Sequence, residues 1–293
     1  MENQWLRTFC TAAEELNFRK AAERLLMSQP NVTVQIRSLE EALGTALFDR
    51  KNNRVSLTDA GRMFYPEARR LLMELDQSIQ RVRSFSQGFR RSWNIGISPL
   101  MGGTVLPHIL RAFMETHPDT EITIRVEESA AIEPLVEEGL VHLGISALPS
   151  RLKSVQSEKL YEDPVLFVMP QDVYDEESGP PIDPLEVLQA HRLFTHHHPV
   201  YWDALIPQLS RRVPGLRTMK VTQAHIAKRF VEEGLGVTFL PHSTIRRELT
   251  EGKLMQPHFD LVPLPVASTY ALYRKKDELI EEFLGSVSRY YFG

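Results

Sequence analysis

Between Arg19 and Leu43 two helical patterns follow one another with only Met27 and Ser28 between them. The first runs from Arg19 to Leu26 with Ala21, Ala22, Leu25 and Leu26 as its apolar set. Ser28 opens the second as an N-cap, and Pro30 falls in the first helical turn, where its missing N–H has no bond to lose. Val32, Ile36, Leu39 and Leu43 then recur at helical spacing as one apolar stripe. The other face presents Gln29, Asn31, Thr33, Gln35, Arg37 and Ser38, side chains able to meet base edges and phosphates in a major groove. Two helices on so tight a turn, the second polar outside, fit a helix-turn-helix. The same periodicity fits an amphipathic pair inside a larger helical core, so the flanking segments have to decide.

Upstream, Trp5, Leu6, Phe9, Ala12, Ala13 and Leu16 make an amphipathic helix able to back the pair. Downstream, Gly44 is placed to end the second helix in the left-handed conformation. In Asp49–Leu57, Asn52-Asn53 can take the positive φ of a hairpin turn, and Arg50, Lys51 and Arg54 cluster at its tip as a basic wing. A solvated hairpin with incidental charge is the bland alternative. Thr58-Asp59 then opens a long helix in which Phe64, Ala68, Leu71, Leu75, Ser78, Val82, Phe85 and Phe89 alternate by four and three. That heptad predicts a dimerisation helix, with Phe64, Leu71, Leu75, Val82 and Phe85 in the seam. A 3.5-residue repeat drifts off a monomeric core, which disfavours packing on its own domain.

Charge is distributed unevenly. Residues 1–91 carry 15 Lys/Arg against 11 Asp/Glu, residues 92–293 carry 19 against 27, and the whole chain has a net charge of -4. A basic module on an acidic body suits nucleic acid at one end only. Residues 1–60 alone balance at 8 and 8, so phosphate binding there depends on placed side chains and on pairing two copies. The single Cys10 excludes a disulfide within the chain and reads as packing. The N-terminus lacks a signal-peptide pattern and no apolar run approaches ~20 residues, so a cytoplasmic protein with no membrane span is expected.

Taken together, residues 1–60 resemble the winged helix-turn-helix of the LysR-type transcriptional regulators. The resemblance is carried by Phe9, Ala21-Ala22-Glu23, Leu25, Ser28-Gln29-Pro30, Val32, Gln35-Ile36, Leu39-Glu40, Leu43-Gly44, Leu47-Phe48, Arg50, Leu57-Thr58 and Ala60-Gly61. Asn17, Arg19 and Thr33 depart from the family's usual residues, which bears on phosphate contacts rather than on fold. The resemblance implies an all-α winged helix-turn-helix over 1–58, a linker and dimerisation helix over 59–90, and an effector-binding regulatory domain over 91–293. It implies promoter DNA and a small-molecule effector as partners, a homodimer assembling to a homotetramer, and RNA polymerase as a candidate partner. DNA contacts fall to Arg19, Ser28, Gln29, Asn31, Thr33, Gln35, Arg37, Arg50, Lys51 and Arg54.

The remainder alternates strands and helices: Trp93–Ser98, Gly102–His117, Glu121–Glu127, a helix capped by Ser129, Val141–Ser146, and Pro164–Met169. After a Pro/Gly/acid loop at 172–183 the pattern resumes with Leu185–Ala190, Leu193–Thr195, Trp202–Arg212, Thr218–Val221, Gln223–Glu233, Val237–Leu240, Thr269–Arg274 and Asp277–Tyr291. Alternation of this kind predicts a parallel α/β body. The family's effector domain is periplasmic-binding-protein-like: two α/β subdomains, here about 91–162 with 266–293 and about 163–265, joined by crossovers near Tyr161–Pro164 and Pro263–Ala267.

Ligands of such sheets bind beyond the carboxyl ends of strands, between subdomains. That selects Ser98, Pro99, Leu100, Met101, Gly102, Ser129, Ser146 and Ala147 from one side, with Glu128 beside them, and Thr195, His196 and Gln223 from the other, with Thr222 and Pro241. A helix starting at Gly102-Gly103 would offer N–H groups to a carboxylate or other small anion. His196-His197-His198 cannot converge on one ion from an extended strand, so no metal is expected; a pocket histidine and a surface loop both remain open. Ile95-Gly96-Ile97-Ser98 followed by Leu106-Pro107 resembles the family's citrate-sensing regulators of central carbon metabolism. Where that subset has an arginine after the third strand, Ala147-Leu148 stands here, which removes a bidentate carboxylate partner. No cofactor is expected, and no nucleophile elbow, P-loop, dinucleotide fingerprint or zinc signature supports an enzyme. The paired carboxylates Glu127-Glu128 and Glu137-Glu138 read as solvated charge. A solute-binding protein would explain the C-terminal body and leave the helix-turn-helix without a purpose.

Overall fold

The computed structural model describes residues 2–51, 54–86, 88–102, 106–171 and 182–292, without the side chains of residues 50, 51, 54, 80, 81, 84, 101, 288 and 290–292. Two compact units divide it, Met1–Gly88 and Phe89–Gly293.

In the first unit, α1 (Asn3–Glu15), α2 (Phe18–Arg24) and α3 (Gln29–Leu43) close around Leu6, Phe9, Ala12, Ala21, Val32, Ile36 and Leu39. Asn17, where the family differs, has a local use: its side-chain oxygen accepts the Arg19 and Lys20 N–H groups at 3.0 and 3.2 Å and caps α2. Ser28 caps α3 through the Asn31 N–H at 3.4 Å, and Gly44 ends it at φ +68°. Two apolar residues expected inside are not. Leu16 is the left-handed C-cap of α1, and Leu26, at φ +54° on the turn, is 94% exposed. The tight turn needs an unusual backbone there, and that geometry points the side chain away from the core.

Strands β1 (Phe48–Lys51) and β2 (Arg54–Leu57) form the antiparallel hairpin, with Lys51 opposite Arg54. Its tip residues Asn52-Asn53 and the basic side chains of Arg50, Lys51 and Arg54 lie outside the described residues. Glu40 ties the hairpin to α3 by accepting the Leu47 and Phe48 N–H groups at 2.8 and 3.1 Å. Helix α4 (Asp59–Ser86) begins at Thr58, whose hydroxyl accepts the Gly61 N–H and donates to the Ala46 carbonyl.

The second unit holds two sheets that share strands. Parallel β3 (Arg91–Ile97), β4 (Thr120–Val126) and β5 (Leu143–Ser146) lie in the order β4-β3-β5. Helices α5 (Pro99–Gly102), α6 (Leu106–Thr116) and α7 (Ser129–Glu137) connect them. Trp93, Phe113 and Phe283 anchor the core of this subdomain, with Trp93 stacked on Phe113 at 4.9 Å. Strand β6 (Gln156–Pro170) is one 15-residue strand that leaves this sheet and enters the second. The expected strand from Pro164 is its C-terminal half. The expected crossover at Tyr161–Pro164 is therefore unbroken strand.

The second sheet is built on that half of β6, with β7 (Leu193–Thr195) beside β8 (Thr218–Lys220), β9 (Thr238–Pro241) antiparallel to β6, and β10 (Leu254–Met255) at its other edge. Helices α8 (Pro184–Ala190), α9 (Trp202–Arg212), α10 (Ala224–Glu232) and α11 (His242–Thr250) pack around it. The chain returns through β11 (Val266–Tyr273), which runs antiparallel to β6 from Pro164 to Gln156, and ends in α12 (Glu278–Phe292). The expected loop at 172–183 falls outside the described residues up to 181.

Candidate nucleic-acid interface and effector cavity

The reading helix α3 turns Gln29, Asn31 and Arg37 fully outward and leaves Thr33, Gln35 and Ser38 half-buried. Ser28 and Arg19 are exposed at the helix starts. Gln35 is partly committed inside the unit: its side-chain oxygen accepts the hydroxyl of buried Thr8 at 2.5 Å. Thr33 donates back to the Gln29 carbonyl, and Arg37 pairs with Glu41 at 2.9 Å. The polar list omits Val34, which is 61% exposed on this same outward face. An apolar side chain there suits the methyl of thymine.

Along α4 the apolar stripe splits in two. Phe64 packs 5.5 Å from Phe9 and Ala68 is buried, so both belong to the core of the unit. Phe64 is thereby corrected from the expected seam, because the first two turns of α4 must cover α1. From Leu71 onward the stripe is open: Leu71, Leu75, Ile79, Val82 and Phe85 are exposed, Phe85 by 75%. Ile79 was missed because the strict four-three count falls on Ser78.

In the second unit a cavity of about 460 Å³ opens between the two subdomains. Ser98, Pro99, Leu100, Glu128 and Ser129 line one side; His196, His197, His198, Trp202, Lys220 and Gln223 line the other, with Asp203 and Thr222. Three helices begin at its wall: α7 with Glu128 and Ser129, α9 with Trp202 and Asp203, and α10 with Gln223 and Ala224. None of the three has a side-chain cap. The first turn of a helix leaves backbone N–H groups unpaired, with a partial positive charge.

Several expected residues have other work. Ser129 is the first residue of α7 rather than its cap; its hydroxyl accepts the Ala147 N–H at 3.2 Å. Ser146 donates to the Ser129 carbonyl and Thr195 to the Met219 carbonyl, and neither lines the cavity. Both are buried in strands and staple neighbouring segments. Ala147 lines a smaller adjoining pocket with Tyr161, Asp163 and His198. The helix expected from Gly102-Gly103 to His117 is α6, which begins at Leu106, while Gly102 closes the short α5; Gly103 and the Met101 side chain lie outside the described residues.

The three histidines separate. His196 takes φ +69°, an uncommon conformation for a side chain with a Cβ, and its Nδ1 sits 2.8 Å from the Thr195 hydroxyl. His197 lies 2.9 Å from the Phe239 carbonyl, and His198 stacks on Tyr201 with ring centres 4.3 Å apart. The last two are buried, which removes the surface-loop reading for them. Burial pushes His197 down to about 4 and His198 down to about 3, so both rings are neutral at pH 7. With its Nε2–H given to Phe239, the neutral His197 ring keeps Nδ1 as an acceptor. Among the described residues, His197 Nδ1, Ser98 Oγ and Trp202 Nε1 have no hydrogen-bond partner. Gln223 bridges the cleft by donating its amide to the Glu128 carboxylate at 2.5 Å.

Lys220, Trp202 and Asp203 escaped the sequence reading. The available signal was their position, Lys220 ending β8 and the other two starting α9.

Residues 3–62 match the model of the bacterial regulatory helix-turn-helix proteins of the lysR family, and residues 86–289 match that of the LysR substrate binding domain. The chain belongs to the LysR family of transcriptional regulators. It is 42% identical to the HTH-type transcriptional regulator CitR of Bacillus subtilis (strain 168), over 100% of both chains. It is 30% identical to XapR of Escherichia coli (strain K12), over 92% of this chain and 90% of that one. The crystal structure of full-length CbnR complexed with target DNA shares the fold, with a TM-score of 0.65, 23% identity and 99% coverage of each chain. The protein is thus a DNA-binding transcriptional regulator with an effector-binding domain, and the solute-carrier and enzyme readings fall away. Among the described residues no helix is long and apolar enough to cross a membrane.

Proposed function

We propose that this regulator binds promoter DNA as a dimer, or a pair of dimers, and that a small carboxylate in the cavity tunes its affinity for the operator. The observation that carries the effector reading is the meeting of three uncapped helix starts with Lys220 around one cavity. Unpaired N–H groups, a helix dipole and an ammonium together favour an anion. The open stripe from Leu71 to Phe85 supports the dimer, since an exposed apolar heptad is stabilised by a second copy. Two reading helices held in this way enter successive major grooves of an interrupted inverted repeat, with Arg50, Lys51 and Arg54 on the backbone or minor groove. Citrate, suggested by resemblance, and other carboxylates are the first effectors to try.

Thermal-shift screening of the full chain against small carboxylates tests the reading, followed by Lys220→Ala. A stabilising carboxylate whose effect the variant loses supports it. No response to any small anion overturns the effector proposal. Electrophoretic shift on the chain's own upstream promoter tests the operator arm, and absence of a specific shift across genomic promoters would overturn that.

A further inference from the structure

We infer that the cavity selects a carboxylate that also bears a hydroxyl or ammonium donor, over a plain polycarboxylate. The inference rests on the carboxylate reading above and narrows it. The lining offers donors: Lys220 and the N–H groups at the starts of α7, α9 and α10. It also offers acceptors: the carboxylates of Glu128 and Asp203, beside the starts of α7 and α9.

Two carboxylates stand against one lysine in the described lining, and His197 and His198, held down by burial, add no positive charge. A ligand made of carboxylates alone meets Lys220 well and faces Glu128 and Asp203 with like charge. A ligand with a carboxylate for Lys220 and a donor for Glu128 satisfies both. Glu128 already accepts the Gln223 amide from across the cleft, so a second donor arriving there adds to a bond that holds the two subdomains together.

The test is calorimetric titration of the full chain with matched ligands. Succinate, L-malate and L-aspartate differ at one carbon by hydrogen, hydroxyl and ammonium; tricarballylate and citrate differ by one hydroxyl. The donor-bearing member of at least one set should bind tenfold or more tighter than its plain partner, and malate against aspartate separates hydroxyl from ammonium. Glu128→Gln should shrink that preference at least fivefold while the plain acid binds equally or better. Equal binding within both sets, or the same preference in Glu128→Gln, overturns the inference and leaves the anion site standing. Binding by none of the five overturns both.

Discussion

Gln35 and Val34 are neighbours on the reading helix with opposite surroundings, and they predict different losses. Gln35 accepts the Thr8 hydroxyl, so Gln35→Ala should lower the stability of the DNA-binding unit by about 1 kcal/mol as well as weakening operator binding. Thermal melts of that variant, of Thr8→Val and of the double variant would separate the two effects; additive stability losses would show the pair is not coupled. Val34→Ser should leave stability nearly unchanged and cost ~1–3 kcal/mol of discrimination where a thymine is read. Binding selections with the variant would show relaxed preference at one base pair. Neither residue's surroundings were legible in the sequence, because a stripe of polar letters does not say which side chain is claimed by a neighbouring helix. The buried histidines carry a pH signature. His197 and His198 lie at about 4 and about 3 in the fold against 6.5 when unfolded, so the unfolded chain binds more protons between those limits. Their contribution is complete above about pH 6.5 and is lost as pH falls towards 4. Asp163, pushed up by burial, acts in the opposite sense just above the ordinary carboxylate range. His198→Phe, which keeps the stack on Tyr201, should flatten the fall in melting temperature between pH 7 and 5.

At the scale of elements, patterns that answer to a local core were readable and those that answer to a distant one were not. The Val32, Ile36, Leu39 stripe and the strand core of Ile95 and Ile97 stand out because each buries an apolar face at its own periodicity. The first half of β6 hides among Glu158, Lys159, Glu162 and Asp163, since it is paired with β11 and presents many side chains to water. Helix α11 hides for a related reason: of His242–Thr250 only Ile245 is a fully buried hydrophobic residue, and Asp163 meets its start by accepting the Ser243 N–H at 3.0 Å. The junction of hairpin and α4 makes a sharper prediction. A Cβ on Gly61 would lie 2.2 Å from the Leu47 carbonyl oxygen, a backbone atom that cannot yield. Gly61→Ala should destabilise the first unit by roughly 1–3 kcal/mol, visible as an earlier melt. On the open stretch of α4, Leu75→Glu should turn the proposed dimer into monomer in sedimentation and weaken operator binding on the order of a hundredfold, through loss of the paired reading head.

For the whole molecule, the charge balance of the sequence has a measurable counterpart. With residues 1–60 carrying equal numbers of each sign, binding should follow the few basic side chains that face phosphate. Arg54→Ala should weaken all DNA sequences alike and reduce the slope of log affinity against log salt by about one unit. The place of the cavity between the subdomains was legible from strand order; its lining was not, because the letters do not say which side chains of β8 and the start of α9 face it, as those of Lys220, Trp202 and Asp203 do. Strand β6 carries a further consequence. Two of the regulatory unit's apolar clusters, one around Trp93 and Phe283 and one around Phe167 and Trp202, lie in different subdomains, which would suggest two independent melting units. Yet a single 15-residue strand is hydrogen-bonded into both sheets, so neither interior can come apart without stripping pairs from the other. Differential scanning calorimetry of residues 89–293 should therefore record one heat-absorption peak, with calorimetric and van't Hoff enthalpies in agreement.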